Sequence, residues 1–182
     1  MREVDFDSLP REELVQLLKL YSRLFLALDG FWFLAAKKKL GYDVALDLDK
    51  AAWEGYFPYE AKKIRRDLGI EDTTTRGIVD SLKYSPLWPC MRHEIPETSE
   101  ERSVFACYDC PSLSAMERGG YPPTCEAVGK ISFGAYAKAI NPGTTVRFLD
   151  GPPRKTTEDV CCKWEFTLAP EETKVPGEEA DG

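Results

Sequence analysis

Apolar residues over 14–28 recur at intervals of three and four, which is the period of one face of an α-helix. Ser8 and Pro10 precede this run, and both residue types are typical of a helix start. The pattern predicts a first helix that begins near Ser8, bends at Asp29-Gly30 and ends at Gly41.

Three more helices are predicted in the N-terminal half of the chain. The first two are expected over 44–56 and 59–68, and the third is capped within 73–75 and runs to about Tyr84. Prolines and a polar run then follow over 86–102, so this stretch is expected to be a connecting segment.

Beyond that segment the pattern changes to short apolar runs separated by turn residues. It predicts strands over 103–108, 144–149 and 160–168, a short helix over 112–118 and a long helix over 125–140. The fold class expected is α+β, with a helical N-terminal half packed on a small antiparallel sheet and one long C-terminal helix. The regions expected are 1–85, helical; 86–102, connecting; 103–168, cysteine-rich and forming one compact domain with 1–85; and 169–182, a disordered acidic tail.

Charge and hydropathy exclude some classes of function. The formal net charge is -7 and the isoelectric point about 4.9, which argues against binding to nucleic-acid phosphates. The N-terminus lacks the pattern of a secretory signal, and no apolar run reaches the length of about 18 residues that a membrane span requires. We therefore expect a cytoplasmic protein that binds no membrane. In a reducing compartment its six cysteines are expected to be metal ligands, reactive thiols or core residues rather than disulfides.

Five of the six cysteines lie in the C-terminal half, and two arrangements could bring them to one metal ion. In a local site, Cys90 and His93 would join Cys107 and Cys110, whose two-residue spacing suits tetrahedral zinc. In a distributed site, Cys110, with or without Cys107, would join two thiols from later in the chain. Those two are Cys125 and Cys162. Zinc is the expected metal, ahead of iron or an iron–sulfur cluster.

Cys125 is also a candidate nucleophile. It opens the helix expected over 125–140, where unpaired N–H groups and the helix dipole favour a thiolate. Cys161 and Cys162 are adjacent, and neighbouring strand residues point to opposite faces, so only one of them is expected to face the site. Arg118 lies between two thiol clusters and could hold a ligand carboxylate by bidentate hydrogen bonds.

Several segments together resemble a known group of proteins. They are DGFWFLAAKKKLGYDVALDLDKAAWEG, CPSLSAMERGG, TCEAVG, INPGTTVRFLDGPPRK and CCKWEF. These segments resemble an uncharacterised family of prokaryotic cytosolic proteins that is related to the L-2-amino-thiazoline-4-carboxylic acid hydrolases. The family is more distantly similar to 4-vinyl reductase-type small-molecule-binding domains. The matching positions are Cys110, Arg118, Cys125, Pro152, Pro153, Cys162 and Trp164.

The resemblance favours the distributed thiol site. It also implies that Trp32 and Trp164 would fit the wall of a cavity for a small ligand. The leading hypothesis is a small-molecule-binding protein with a cysteine-ligated zinc, in which an open coordination position would acidify water and permit hydrolysis. One alternative is a metal-free hydrolase that opens a heterocycle such as a thiazoline with Cys125. The other is a binding domain for a ligand or partner with inert cysteines.

Overall fold

The computed structural model describes residues 5–169, and these form an α+β fold as the pattern predicts. Five helices and four strands follow one another in the order α1 (Arg11–Leu40), α2 (Tyr42–Leu68), α3 (Thr75–Leu82), β1 (His93–Thr98), β2 (Arg102–Cys107), α4 (Pro111–Gly119), α5 (Cys125–Ile140), β3 (Thr144–Asp150) and β4 (Cys162–Leu168). Ala169 is the last described residue, so the tail expected to be disordered otherwise lies outside the described part of the chain.

Helices α1 and α2 form a long hairpin that turns at Gly41, where φ is +90°. The helix end at Gly41 is confirmed. The division of the second helix into 44–56 and 59–68 is wrong, because α2 continues through Pro58 to the left-handed cap at Gly69. Phe57 is buried against Phe133 and Tyr136 of α5, and this packing holds the chain helical across the proline.

The sheet has four antiparallel strands in the order β1-β2-β4-β3. The segment expected to connect the two halves contains strand β1, which the sequence reading missed. Pro96 favours irregular structure in the sequence, but it lies in β1. This is an edge strand, where a residue without an N–H is tolerated. The other three strands lie within a residue or two of their predicted positions.

Helix α5 begins at Cys125 and ends at Ile140, as predicted. It is followed by β3 and β4, so the described chain does not end in a long helix, and the longest helices are α1 and α2. At Gly129 the backbone of α5 contacts Trp164 of β4 so closely that an added Cβ would lie 2.3 Å from the Trp164 ring. The α+β class is confirmed, whereas one long C-terminal helix is not shown, because α5 precedes the last two strands and is shorter than α1 and α2.

One cluster of buried side chains extends from Leu26 of α1 to Phe166 of β4. Phe105 and Trp164 are directly paired in the sheet, and Phe133 of α5 covers them. The opposite face of β4 carries Glu165, which forms ion pairs with arginines of the two neighbouring strands. Between residues 5 and 169, no helix combines the length and hydropathy needed to cross a bilayer.

Candidate functional site

Five thiols meet where strands β2 and β4 are joined at one end of the sheet. Cys107 ends β2 and Cys162 begins β4, and these residues are paired in register, so their side chains share the face that the helices cover. Cys110 is the N-cap of α4, Cys125 is the first residue of α5, and Cys161 precedes β4. The thiols of this cluster are close enough to affect one another's pKa.

Cys161 is completely buried and has more polar contacts than the other thiols. Its Sγ accepts a hydrogen bond from the Cys110 backbone N–H at 3.4 Å and lies 3.3 Å from Nη1 of Arg154. In its protonated form it donates to the carbonyl oxygen of Tyr108 at 2.6 Å. Two donors and one acceptor therefore surround the sulfur, and two of these three contacts favour the thiolate.

The five thiols have pKa values that are shifted in opposite directions. The Cys107 side chain, the Cys110 N–H and the Arg154 guanidinium lower the pKa of Cys161 to about 7, although burial acts against them. The Cys107 side chain also lowers the pKa of Cys162, whereas the pKa of Cys107 is raised by Cys161 and Cys162. Of these three thiols, Cys107 is therefore the one that holds its proton most tightly.

Burial decides the state of the remaining two thiols. It raises the pKa of both Cys110 and Cys125 to about 12. The N–H groups at the start of α5 were expected to favour a thiolate at Cys125, but burial of this side chain raises its pKa. The thiol whose pKa is lowered to about 7 is Cys161, although only one of Cys161 and Cys162 was expected to face the site and Cys162 was the one included in it.

The arginine that contacts the thiol cluster is Arg154, and Arg118 is not in contact with Cys161. Arg154 donates to both oxygens of Glu117, from Nε at 3.0 Å and from Nη2 at 2.6 Å, and its side chain is only 6% exposed. Arg118 follows Glu117 at the end of α4 and is exposed. One feature of the sequence could have indicated Arg154: it directly follows Pro152 and Pro153, two of the positions that carry the resemblance.

A polar pocket of about 500 Å³ adjoins this arrangement. Its wall includes Tyr108 and Arg154, together with two lysines, Lys155 and Lys163. Asp159 fixes the loop that carries Arg154, because its carboxylate accepts hydrogen bonds from the backbone N–H groups of Lys155 and Thr156. These bonds lower the pKa of Asp159, so the loop stays ordered with the carboxylate ionised.

The two tryptophans expected at a ligand wall do not lie together. Trp32 is 71% exposed on α1 and lines an apolar groove between α1 and α2. Trp164 is fully buried between Phe133 and Phe148. Its ring belongs to the core beneath the thiols, and its indole N–H adds to the effect of the Cys107 side chain in lowering the pKa of Cys162.

The local metal site is not formed. Cys90 lies against α1, where its Sγ is 3.1 Å from Oγ of Ser22. His93 stacks on the ring of Phe105, and its Nδ1 is 3.2 Å from the Met91 carbonyl oxygen. In the described part of the chain, no group of three or more His, Cys, Asp or Glu side chains has the geometry to hold a metal ion.

Comparisons with known proteins agree with the extent of this fold. No curated protein and no solved structure matches the chain. One family model matches residues 7–168, which covers every helix and strand described above. The chain therefore belongs to the family of unknown function DUF6125.

Proposed function

We propose that this protein binds a small anionic molecule in the pocket at Arg154 and attacks it with the thiolate of Cys161. The observation that carries the proposal is the division of one guanidinium between two groups: Arg154 holds Glu117 with two of its nitrogens and approaches the Cys161 sulfur with the third. A cation held in this way stabilises a thiolate, which is the nucleophilic form of cysteine.

The charges of the pocket support an anionic ligand. Lys155 and Lys163 line it beside Arg154, against two carboxylates that already accept backbone hydrogen bonds. Asp159 accepts from the N–H groups of Lys155 and Thr156, and Asp150 accepts from the N–H of Gly151. A ligand carboxylate could be held by these lysines and could compete with Glu117 for Arg154. Because Arg154 covers the buried sulfur, that competition would also open a path to Cys161.

The resemblance to thiazoline hydrolases suggests the bond that would be attacked. The Cys161 sulfur would form a bond to the carbon of a C=N group, the π electron pair would pass to the nitrogen, and the nitrogen would take a proton from water. The ring C–S bond of the adduct would then break, and the ring sulfur would leave with the proton of that nitrogen, which leaves a thioimidate on Cys161. The hydroxide formed in the first step would add to the thioimidate carbon, and the bond from that carbon to the Cys161 sulfur would break to return the thiolate and release an open-chain amide. These steps consume water alone and need no oxidant or reductant.

The test is the pH dependence of alkylation at each cysteine of the folded protein. With peptide mapping and iodoacetate, whose carboxylate can compete with Glu117 for Arg154 and so open the path to the buried sulfur, we expect Cys161 to react with an apparent pKa of about 7. Arg154→Gln should move that value toward the ordinary thiol value of about 8.5, because the cation is lost. Arg118→Gln changes a neighbouring exposed arginine and should leave the profile unchanged.

Two results would contradict this role for Cys161. One is a Cys161 that resists alkylation in the folded protein while Cys125 reacts. The other is an identical profile in the wild-type protein and the Arg154→Gln variant, which would show that the guanidinium has no effect on the sulfur. Far-UV circular dichroism of each variant shows whether the fold is retained.

A zinc ion held by Cys107, Cys110, Cys125 and Cys162 is the second candidate. It is favoured by the convergence of these thiols, and it requires their side chains to turn, since they do not form a metal-binding group as they lie. Elemental analysis of protein purified without affinity metals should then find about one zinc per chain. The metal should be lost in Cys125→Ser and in Cys162→Ser. A metal-free wild-type protein would remove this candidate and leave the first unaffected.

A further inference from the structure

The helical hairpin has an apolar face that no other part of residues 5–169 covers. Along α1, apolar residues follow one another at alternating intervals of three and four, the heptad pattern of a helix that packs against another helix. This seam consists of Leu14, Leu17, Tyr21, Leu24, Leu28, Phe31 and Ala35. From Tyr21 onward its members are exposed, and Phe31 is 71% exposed.

The protein's core uses a different side of α1. Its buried residues are Ser22 and Leu26, and Leu26 is rotated by about 200° from Leu24 at the usual 100° per residue. The helix is therefore apolar on two sides, of which one faces the core and the other faces outward. A helix that is apolar on both sides is a buried helix in most proteins, which indicates that a further element covers the seam.

An apolar groove lies beside the seam, between α1 and α2. It has a volume of about 640 Å³, and the seam residues Leu28 and Ala35 form part of its wall. On the α2 side it is lined by Leu48 and Ala52. The small alanine side chains leave room for larger side chains from another helix, as in knobs-into-holes packing.

From this geometry we infer that the seam and the groove are the interface of a homodimer, in which α1 packs antiparallel against α1 of a second copy and the two hairpins form a four-helix bundle. A two-fold axis near Leu26 would place Leu24 opposite Leu28 of the second copy and Tyr21 opposite its Phe31. The same surface then serves both copies, as a two-fold interface requires.

The charges at the ends of α1 favour the antiparallel arrangement. The first turn carries Glu12 and Glu13, and the last turn carries the lysine run 37–39. The 30 residues of α1 span about 45 Å, so two antiparallel copies centred near Leu26 bring each acidic end against a basic end. A parallel arrangement would bring like charges together.

The size of the surface also fits a second copy. Most of the exposed large apolar side chains in the described chain lie on α1 and α2. Those between Tyr21 and Leu48, which leave out Leu68, represent on the order of 800–1,000 Å² per copy, hence roughly 1,600–2,000 Å² per dimer, which is the size of a stable interface. The C-terminal segment 170–182 is PEETKVPGEEADG, and it contains too few apolar residues to cover this face.

The mass of the full chain in solution tests the inference. Between about 1 and about 100 μM, sedimentation or light scattering should give twice the chain mass of 20.6 kDa. Leu24→Glu/Leu28→Glu should weaken the dimer by at least about 100-fold, because both side chains lie at its centre. Leu68→Glu is the matched control: it places the same charge on an exposed leucine beyond the groove, and it should leave the dimer intact.

Charge reversal tests the orientation. Glu12→Lys/Glu13→Lys should weaken the dimer by about 3- to 10-fold, and adding Lys38→Glu/Lys39→Glu should restore it. A wild-type monomer at about 100 μM overturns the inference, and so does a dimer that Leu24→Glu/Leu28→Glu leaves intact. If the wild-type protein is a monomer that floats with vesicles of phosphatidylcholine and phosphatidylglycerol, the apolar face binds a lipid surface instead.

Circular dichroism of each variant shows whether a loss of association comes from a loss of folding.

Discussion

Glu60 is an acidic side chain in the core and only 3% exposed, and the hydroxyls of Ser85 and Tyr56 lie beside its carboxylate. Burial raises its pKa. At pH values between the ordinary pKa of glutamate and the raised pKa of Glu60, this carboxyl group is protonated in the folded protein and ionised in the unfolded chain. Stability therefore falls as the pH rises through that window.

Removing this charge should stabilise the protein. We expect Glu60→Gln to raise the free energy of unfolding by roughly 1 kcal/mol above neutral pH, because a buried carboxylate no longer has to lose its hydration. The variant should also show a flatter dependence of stability on pH. Urea denaturation at several pH values measures both effects, with Glu54→Gln on the exposed side of the same helix as control. A Glu60→Gln protein that is less stable than wild type at every pH would show that the carboxylate is needed in the fold.

The thiols show how far individual residues could be judged from sequence. That cysteines gather in one place followed from their spacing, since the ends of neighbouring elements carry them. Which thiol has a lowered pKa did not follow, because it depends on distances of 3.3 Å and 3.4 Å to Arg154 and Cys110. At Cys125 the local feature, a helix start, predicted the wrong direction of the pKa, because burial had the larger effect.

The contact between α5 and the sheet depends on the absence of a side chain at Gly129. A Cβ at this position would lie 2.3 Å from Cζ2 of Trp164, a ring that is itself enclosed by Phe133 and Phe148. Neither the helix nor the ring can move without disturbing the core. Glycine is therefore required here by close packing rather than by a special backbone conformation.

Gly129→Ala should accordingly destabilise the protein. We expect a loss of about 1–3 kcal/mol from overpacking, although alanine has the higher helix propensity by about 1 kcal/mol. Gly134→Ala in the same helix has open space around it and should be neutral or stabilising by up to about 1 kcal/mol. Thermal unfolding followed by Trp fluorescence compares the two variants. Equal effects would mean that the Gly129 contact is not tight.

The helices and strands were predicted well where local signals and packing agree. Helix α5 starts and ends at its predicted residues, since an apolar period runs through it and the sequence Asn141-Pro142-Gly143 follows its last residue. The prediction was wrong at two prolines, each of which was expected to interrupt regular secondary structure. Pro58 lies inside α2 and Pro96 lies in strand β1, and in both places packing or an edge position compensates for the missing N–H.

The molecule as a whole joins a thiol cluster at one end of its sheet to a hairpin whose outer face is apolar. Antiparallel pairing of β2 with β4 brings Cys107 and Cys162 together, although more than fifty residues separate them in the chain. The apolar face of the hairpin, by contrast, has no element packed against it in the described residues. The thiol pocket and the proposed dimer interface are formed by different residues, so a variant in one is expected to leave the other unchanged.

The α+β class, most of the helices and strands, and the concentration of cysteines in the C-terminal half could be predicted from the sequence. These features follow from periodicity and capping, which act between residues near one another in the chain. Four other features became visible only in the fold: the contact between Cys161 and Arg154, the exposure of Arg118, the burial that raises the pKa of Cys125, and the second apolar side of α1. These depend on distances between elements remote in sequence and on burial, and no local pattern specifies either.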